Sequence, residues 1–293
     1  MESAKEKNTN KSIIKIGEKT LYTPEEYDKV LSKLRMFFRE GKGYIEVDGQ
    51  KDLSILAACE NPYSVARFKF AGGIWSMPQT NQMRLEHYLL NNPNWEGCYS
   101  ITTSYRDERD EDMIPSRHLR SFTMYECESH GDYKTLLKTL TELLTFLGFE
   151  DTPVHLDYQT IANMFQSPTV EAEHEMKIGK DTPVAFLKNF TKASNPFFNM
   201  KQNGSTYKKC DVLLAPVGET MGCAERSCDV EEMRYNFLNQ SDGKYAQTLF
   251  DKFGESRTMD ELEDYLSNKF IPRWGFGIGI MRLISAMKHQ GLL

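Results

Sequence analysis

The sequence predicts an α+β fold in which helices flank a mainly antiparallel sheet. Residues 95–105 (WEGCYSITTSY) and 119–128 (LRSFTMYECE) both read as strands, and the charged stretch from Asp107 to His118 joins them, so a long hairpin is expected. Other strand-like runs lie far off, at 44–47, at 211–214 and near the C-terminus. Strands gathered from distant parts of a chain favour antiparallel pairing. No internal repeat and no linker rich in Pro, Gly or Ser divides the chain, so a flexible tail at 1–20 and a single domain at 21–293 are expected.

Thr23-Pro24-Glu25-Glu26 combines a capping threonine, proline at the first helical position and glutamate at the third. Tyr27, Val30, Leu31, Leu34 and Phe37 then recur at helical spacing, which predicts an amphipathic helix ending near Gly41-Lys42-Gly43. Tyr44 to Val47 alternates as a strand does. Tyr133 to Leu147 carries leucines at 136, 137, 140, 143, 144 and 147 and stops at Gly148, a helix with an apolar stripe and a glycine terminator. Past a middle with no clear signal, Val212-Leu213-Leu214 reads as a short strand beginning at Asp211. Helices are expected around Asp229 to Leu238 and after Thr258-Met259-Asp260-Glu261, the latter from its capping-box pattern.

The bulk numbers exclude several classes. Of 293 residues 40% are hydrophobic and 27% charged, as in a soluble globular protein. The first 19 residues are mostly polar, and no run of 18 apolar residues occurs anywhere, so neither a signal peptide nor a membrane span is expected and the location is expected to be cytoplasmic. Six cysteines (Cys59, Cys98, Cys127, Cys210, Cys223, Cys228) form no C-x-x-C pair, which speaks against a disulfide framework or a zinc site. A formal charge of −6 lacks the footprint of a dedicated nucleic-acid binder.

Two segments carry chemistry. Trp274-Gly275-Phe276-Gly277-Ile278-Gly279-Ile280-Met281-Arg282 places three glycines at alternate positions before an arginine. It is not a dinucleotide fingerprint, because the third glycine follows the second by two places and only 14 residues remain after Gly279. It marks either one face of a packed strand or a backbone that a ligand approaches closely. The hairpin supplies Arg106, Glu108, Arg117, His118 and Phe122. Guanidinium and imidazole either side of a turn, with an aromatic ring nearby, suit a nucleotide triphosphate, although a solvated charged loop has the same composition.

Taken together, Arg106 to Glu108 with Arg117-His118-Leu119 and Phe122 resembles motif 2 of the class II aminoacyl-tRNA synthetases, and the terminal G-F-G-I-G-I-M-R resembles their motif 3. Pro196 to Lys201 followed by Cys210 to Arg226 is similar to the asparaginyl type within the Asp/Asn/Lys subgroup, including the eight-residue step from Asp211 to Glu219 and the seven from Glu219 to Arg226. Cys59-Glu60 resembles the loop that closes over the amino acid, and Gln79 to Glu86 the amino-acid-binding turn. The resemblance spans nearly everything after about residue 25.

It implies an AMP-forming ligase with ATP and Mg²⁺. Arg106 would grip the α-phosphate, Glu108 face the adenine amino group, Phe122 stack on adenine over the floor of Gly277 and Gly279, and Arg282 cover the other face and the γ-phosphate. Arg117 and His118 would hold the distal phosphates, and Asp211 and Glu219 the Mg²⁺. Gln82 and Glu60 would meet the α-ammonium of the amino acid, and Arg226 its side-chain end beside Cys223, which stands where the family has glycine. Gln50 replaces the proline of the dimer-forming first motif, so a homodimer is expected without that residue's support, and Ser121 replaces a glutamate before the motif 2 phenylalanine.

Only about 20 residues precede the first helix, too few for the OB-fold that reads the anticodon in asparaginyl and aspartyl enzymes. A bare core of this kind is similar to asparagine synthetases related to asparaginyl-tRNA synthetase. The favoured expectation is therefore activation of aspartate or asparagine as an adenylate, then transfer to ammonia or another small amine. Two alternatives stay open. One is a truncated synthetase charging tRNA through Lys188, Lys192, Lys201, Lys208 and Lys209 with Phe190, Phe197, Phe198 and Tyr207. The other is a regulatory paralogue that binds ATP or an amino acid without catalysis.

Overall fold

A computed structural model describes residues 22–49, 53–58, 60–108 and 119–293. Its centre is a nine-stranded sheet: β1 (Ile45–Glu46), β4 (Gly97–Tyr105), β5 (Ser121–His130), β11 (Arg273–Gly279), β10 (Gly218–Glu225), β9 (Thr206–Leu214), β7 (Val184–Thr191) and β6 (Val154–Asp157) lie side by side in that order, and β8 (Gln202–Asn203) pairs with β9. The pairs β1/β4 and β6/β7 are parallel and the others antiparallel. The expected mainly antiparallel α+β sheet is what forms.

Alternation along the strands gives the sheet two unlike faces. Tyr125 and Cys127, Cys210 and Val212, and Trp274, Phe276 and Ile278 point to an apolar core with α1 (Pro24–Arg35), α3 (Tyr133–Leu147) and α9 (Ile280–His289). Glu126, Glu128, Asp211, Gly275 and Gly277 occupy the alternate positions of the same strands. That second face is walled at one end by α2 (Gln82–Asn91) and at the other by α4 (Tyr158–Met164) and α5 (Ala172–Asp181), which pack on Ala185, Leu187 and Leu213. Behind α2, the helices α6 (Val230–Asn239), α7 (Lys244–Phe253) and α8 (Glu255–Leu266) form a second apolar cluster with Phe197 and Phe198. A separate hairpin, β2 (Arg67–Phe70) with β3 (Gly73–Ser76), precedes α2.

The helix signals in the sequence translate directly where they are local. Thr23 and Glu26 form the reciprocal capping box at the start of α1, which continues as one π-helical turn to Gly41. Helix α3 begins after an Asp132 cap and ends at Gly148, whose positive φ of 104° only glycine takes without strain. Thr258 is a correction. It sits inside α8, its hydroxyl donating to the Gly254 carbonyl at 2.8 Å, because Gly254 starts the helix one turn earlier. No helix among the described residues is long and apolar enough to cross a membrane.

Candidate active site

The polar face of the sheet is the floor of a cavity of about 410 Å³. Strand register explains its shape. One row across the strands runs Ser100, Glu126, Gly277, Gly222, Asp211, so two adjacent glycines lie between two buried carboxylates. The row beside it runs Glu128, Gly275, Ala224, Lys209. Strands are about 4.8 Å apart, which leaves a trough roughly 14 Å wide from Glu126 to Asp211 with no side chain in its middle. A flat ring with a phosphate chain fits a trough of that form.

The alternate glycines serve unlike purposes. A Cβ on Gly275 would overlap the Glu128 carboxylate and lie 2.6 Å from the Cys127 carbonyl, so there glycine is demanded by packing. On Gly277 it would meet the end of the Met124 side chain at 2.6 Å, and on Gly279 nothing nearer than 3.9 Å. The last two keep the floor open. Gly275→Ala is expected to lower stability by about 1–3 kcal/mol through overpacking, read from urea midpoints; an unchanged midpoint would show that Glu128 moves aside freely.

The structure brings Glu60, Gln82, Arg106, Glu108, Phe122, Glu219, Cys223, Arg226, Gly277, Gly279 and Arg282 together around this one cavity. Asp211 lies just behind the wall, buried, and Arg117 and His118 fall outside the described residues, as do Cys59 and Gln50. Arg106 leaves the end of β4, stacks its guanidinium 5.6 Å from the Phe122 ring centre, and donates from Nη2 to Glu60 at 2.7 Å. The Glu60 charge holds that guanidinium above its ordinary range. Arg120 donates twice to the Glu108 carbonyl, at 3.0 and 2.9 Å, and ties the two strands at the cavity mouth. Arg282, in the first turn of α9, donates from Nη1 to the Glu219 carbonyl at 2.7 Å and lies 3.5 Å from its carboxylate.

The deep end holds a buried network that the sequence does not reveal. Arg226 gives Nε and Nη2 to Glu128, with Nη2 at 2.6 Å, and its Nε lies 3.8 Å from Glu86. Its Nη1 makes no hydrogen bond to the described residues. Glu86 is also held by Arg273 at 2.6 Å, by Tyr265 Oη at 2.8 Å, and by the amide nitrogens of Gln82 and Asn199. With its amide nitrogen turned to Glu86 and Asn199, Gln82 has its carbonyl left as an acceptor. Burial pushes the Glu86 carboxyl up, but Arg273 and Arg226 outweigh it and hold it below the ordinary carboxylate range. For Glu128 burial wins, with Arg226 opposing and Glu86 adding, and the carboxyl is pushed up to about 7. Cys223 is a correction: it pairs with Phe276 and Cys210 and packs with them in the apolar core on the other face of the sheet, so only its backbone borders the cavity, and burial drives its thiol up.

A divalent cation fits one place. A Cβ built on Gly222 would sit 3.3 Å from Glu219 Oε1 and 3.8 Å from Asp211 Oδ1, and that Asp211 oxygen is buried without a partner. Two carboxylate oxygens around a point free of side chains suit a hard ion. No group of three or more His, Cys, Asp or Glu side chains that could hold a metal occurs among the described residues, so the remaining ligands would come from phosphate or water. Lys209, unassigned to this site by the sequence, holds Asp211 Oδ2 at 2.6 Å. Burial raises the Asp211 carboxyl to about 7, Lys209 opposing and Glu219 adding.

Residues 25–291 match the family model described as tRNA synthetases class II (D, K and N). Similar solved structures include asparaginyl-tRNA synthetase of Pyrococcus horikoshii complexed with asparaginyl-adenylate (18% identity, TM-score 0.74, 89% of this chain and 64% of that one). The asparaginyl enzyme of Entamoeba histolytica, also with asparaginyl-adenylate, gives 14%, 0.70, 91% and 63%. The aspartyl enzyme of Entamoeba histolytica gives 16%, 0.62, 89% and 55%. The chain thus spans less than two thirds of each of these structures. A search of curated proteins gives no match. The chain belongs to the class II tRNA synthetases of the aspartate, lysine and asparagine group, a family of ATP-dependent ligases.

Proposed function

We propose that the chain activates aspartate with ATP as an acyl-adenylate and passes the acyl group to ammonia, forming asparagine, AMP and pyrophosphate. ATP lies along the glycine floor, its adenine against Phe122 with the amino group toward Glu108 and its α-phosphate at Arg106. Arg282 covers the other face of the base and reaches the γ-phosphate; Arg117 and His118 take the distal phosphates. Mg²⁺, held by Asp211 and Glu219 on the triphosphate oxygens, would supply charge neutralisation when bound. A substrate carboxylate oxygen attacks the α-phosphorus, and the bond to the bridging oxygen breaks, releasing pyrophosphate. Arginines fixed in place stabilise the charge that moves onto the phosphates.

The product dictates which carboxylate reacts. Ammonia attacking an α-acyl phosphate would yield the α-amide, so asparagine requires the β-carboxylate to be activated. Ammonia then adds to the β-carbonyl carbon, loses a proton, and AMP leaves with the electrons of the carbon–oxygen bond. The α-carboxylate is thereby turned to the deep end, where Arg226 has Nη1 to offer while Glu128 takes its other two nitrogens. The α-ammonium meets the carbonyl of Gln82 and the carboxylate of Glu60.

The observation that carries a small acceptor over tRNA is the fate of three of the five lysines and all four aromatic residues that would have met nucleic acid. Lys201 and Lys208 are bound to the buried Glu225 at 2.5 and 3.0 Å, and Lys209 to Asp211. Phe190, Phe197, Phe198 and Tyr207 are buried, so no base can stack on them. Transfer to tRNA is supported instead by the likeness to tRNA synthetases. A homodimer belongs to the same proposal, supported by the exposed apolar Met36, Ile45 and Phe146 around α1, β1 and α3.

The test is product analysis of the full chain with ATP and aspartate. Ammonium-dependent asparagine and AMP are expected, with no charging of total tRNA. Charging of tRNA with asparagine, and no amide with ammonium, would overturn the amidation reading.

A further inference from the structure

Lys209 stands where it has no evident structural need. It lies on β9 two residues before Asp211 and projects from the same face of the strand, so its ammonium forms part of the cavity wall. Two contacts and burial immobilise that ammonium. It is 2.6 Å from Asp211 Oδ2, and 3.6 Å above the ring of the buried Phe190, and only 18% of the side chain is exposed. Its carboxylate surroundings are dense: Asp211, Glu219 and Glu175 all act on it, and Glu175 itself accepts from the Glu219 backbone at 2.9 Å.

The geometry divides the two oxygens of Asp211. Oδ2 belongs to Lys209, whereas Oδ1 is buried without a partner and faces the side-chain-free point over Gly222 that Glu219 Oε1 also faces. A divalent ion over Gly222 would therefore share one carboxylate with a fixed ammonium. Repulsion between the two cations opposes its binding, and Phe190 keeps the ammonium from swinging away.

We propose that Lys209 is a resident counter-ion of the Asp211–Glu219 pair, keeping it a weak divalent-cation site that fills only when a triphosphate adds its own negative charge. The ion thus arrives with the nucleotide rather than waiting in the pocket. The consequence rests on reading the cavity as an ATP site, but its test needs neither substrate, so the two fail separately.

The test is Mn²⁺ binding to the full chain without nucleotide, read from the free-ion electron paramagnetic resonance signal. Lys209→Met is expected to bind Mn²⁺ about tenfold tighter or more than the wild type, one unit charge having been removed a few ångströms from the ion. Lys209→Arg should bind as weakly as the wild type, and Lys209→Met combined with Asp211→Asn should lose the gain. A merely structural lysine would change the unfolding midpoint but not this ordering. Equal or weaker Mn²⁺ binding by folded Lys209→Met overturns the proposal. Lys209→Gln, which keeps a donor to Asp211, is read the same way should the methionine variant not fold. Tight Mn²⁺ uptake by the wild type alone, without nucleotide, overturns it outright.

Discussion

Arg282→Ala is expected to lower aspartate-dependent pyrophosphate exchange by about 10³-fold or more, the scale on which a guanidinium serving a phosphoryl transition state acts. The side chain reaches the cavity from the first turn of α9, steered by the Glu219 carbonyl at 2.7 Å. Its pairing with the Glu219 carboxylate at 3.5 Å is partly exposed, so the variant should lose no more than about 1 kcal/mol of stability. Arg282→Lys should recover little, because an ammonium cannot cover a ring face as a planar guanidinium does. Exchange within tenfold of the wild type would remove Arg282 from the phosphate site.

The second large effect is on stability. Arg273→Met should cost about 3–5 kcal/mol, because it leaves Glu86 buried with only the more distant Arg226 as a counter-charge. Both partners of this pair are fully buried, and the arginine also donates to the Ser227 carbonyl at 3.0 Å and to Tyr265 Oη at 3.1 Å. Arg273→Met with Glu86→Leu should be less destabilised than Arg273→Met alone, since no charge is then stranded. That double variant also frees Gln82 from Glu86, so KM for the amino acid should rise while KM for ATP holds. Urea midpoints ranking the double variant below the single one would contradict the stranded-charge account.

The contrast between these two arginines shows what the sequence made legible. Arg282 belongs to a contiguous run whose alternate glycines and terminal arginine are visible in order, and the sheet places that run beside Phe122 and Arg106. The hairpin and α3 were equally plain because their signals are local: alternation, a capping residue, a glycine stop. Arg273 is different. Its partner Glu86 is 187 residues away, and no spacing rule joins the two. In sequence Lys209 stands out only as one of the candidate tRNA contacts for the same reason, since only the pairing of β9 with β7 and β10 brings Phe190 and Gly222 around it.

Strand β9 itself was foreseen only from Asp211 onward, although it begins at Thr206. Its first residues include Lys208 and Lys209, held by Glu225 and Asp211, and a paired lysine in a strand looks like a loop residue in sequence. The region from β6 to β7 gave no signal because β6 is four residues long, largely exposed, and paired parallel to β7. Short parallel edges lack the turn chemistry that announces a hairpin.

Amino-acid-dependent exchange of labelled pyrophosphate into ATP, run without tRNA and separately with aspartate and asparagine, tests adenylation most directly. The account predicts exchange that requires aspartate and is lost in Arg282→Ala. No exchange with either amino acid, from folded protein that binds ATP, would contradict it and leave a nucleotide-binding paralogue without catalysis.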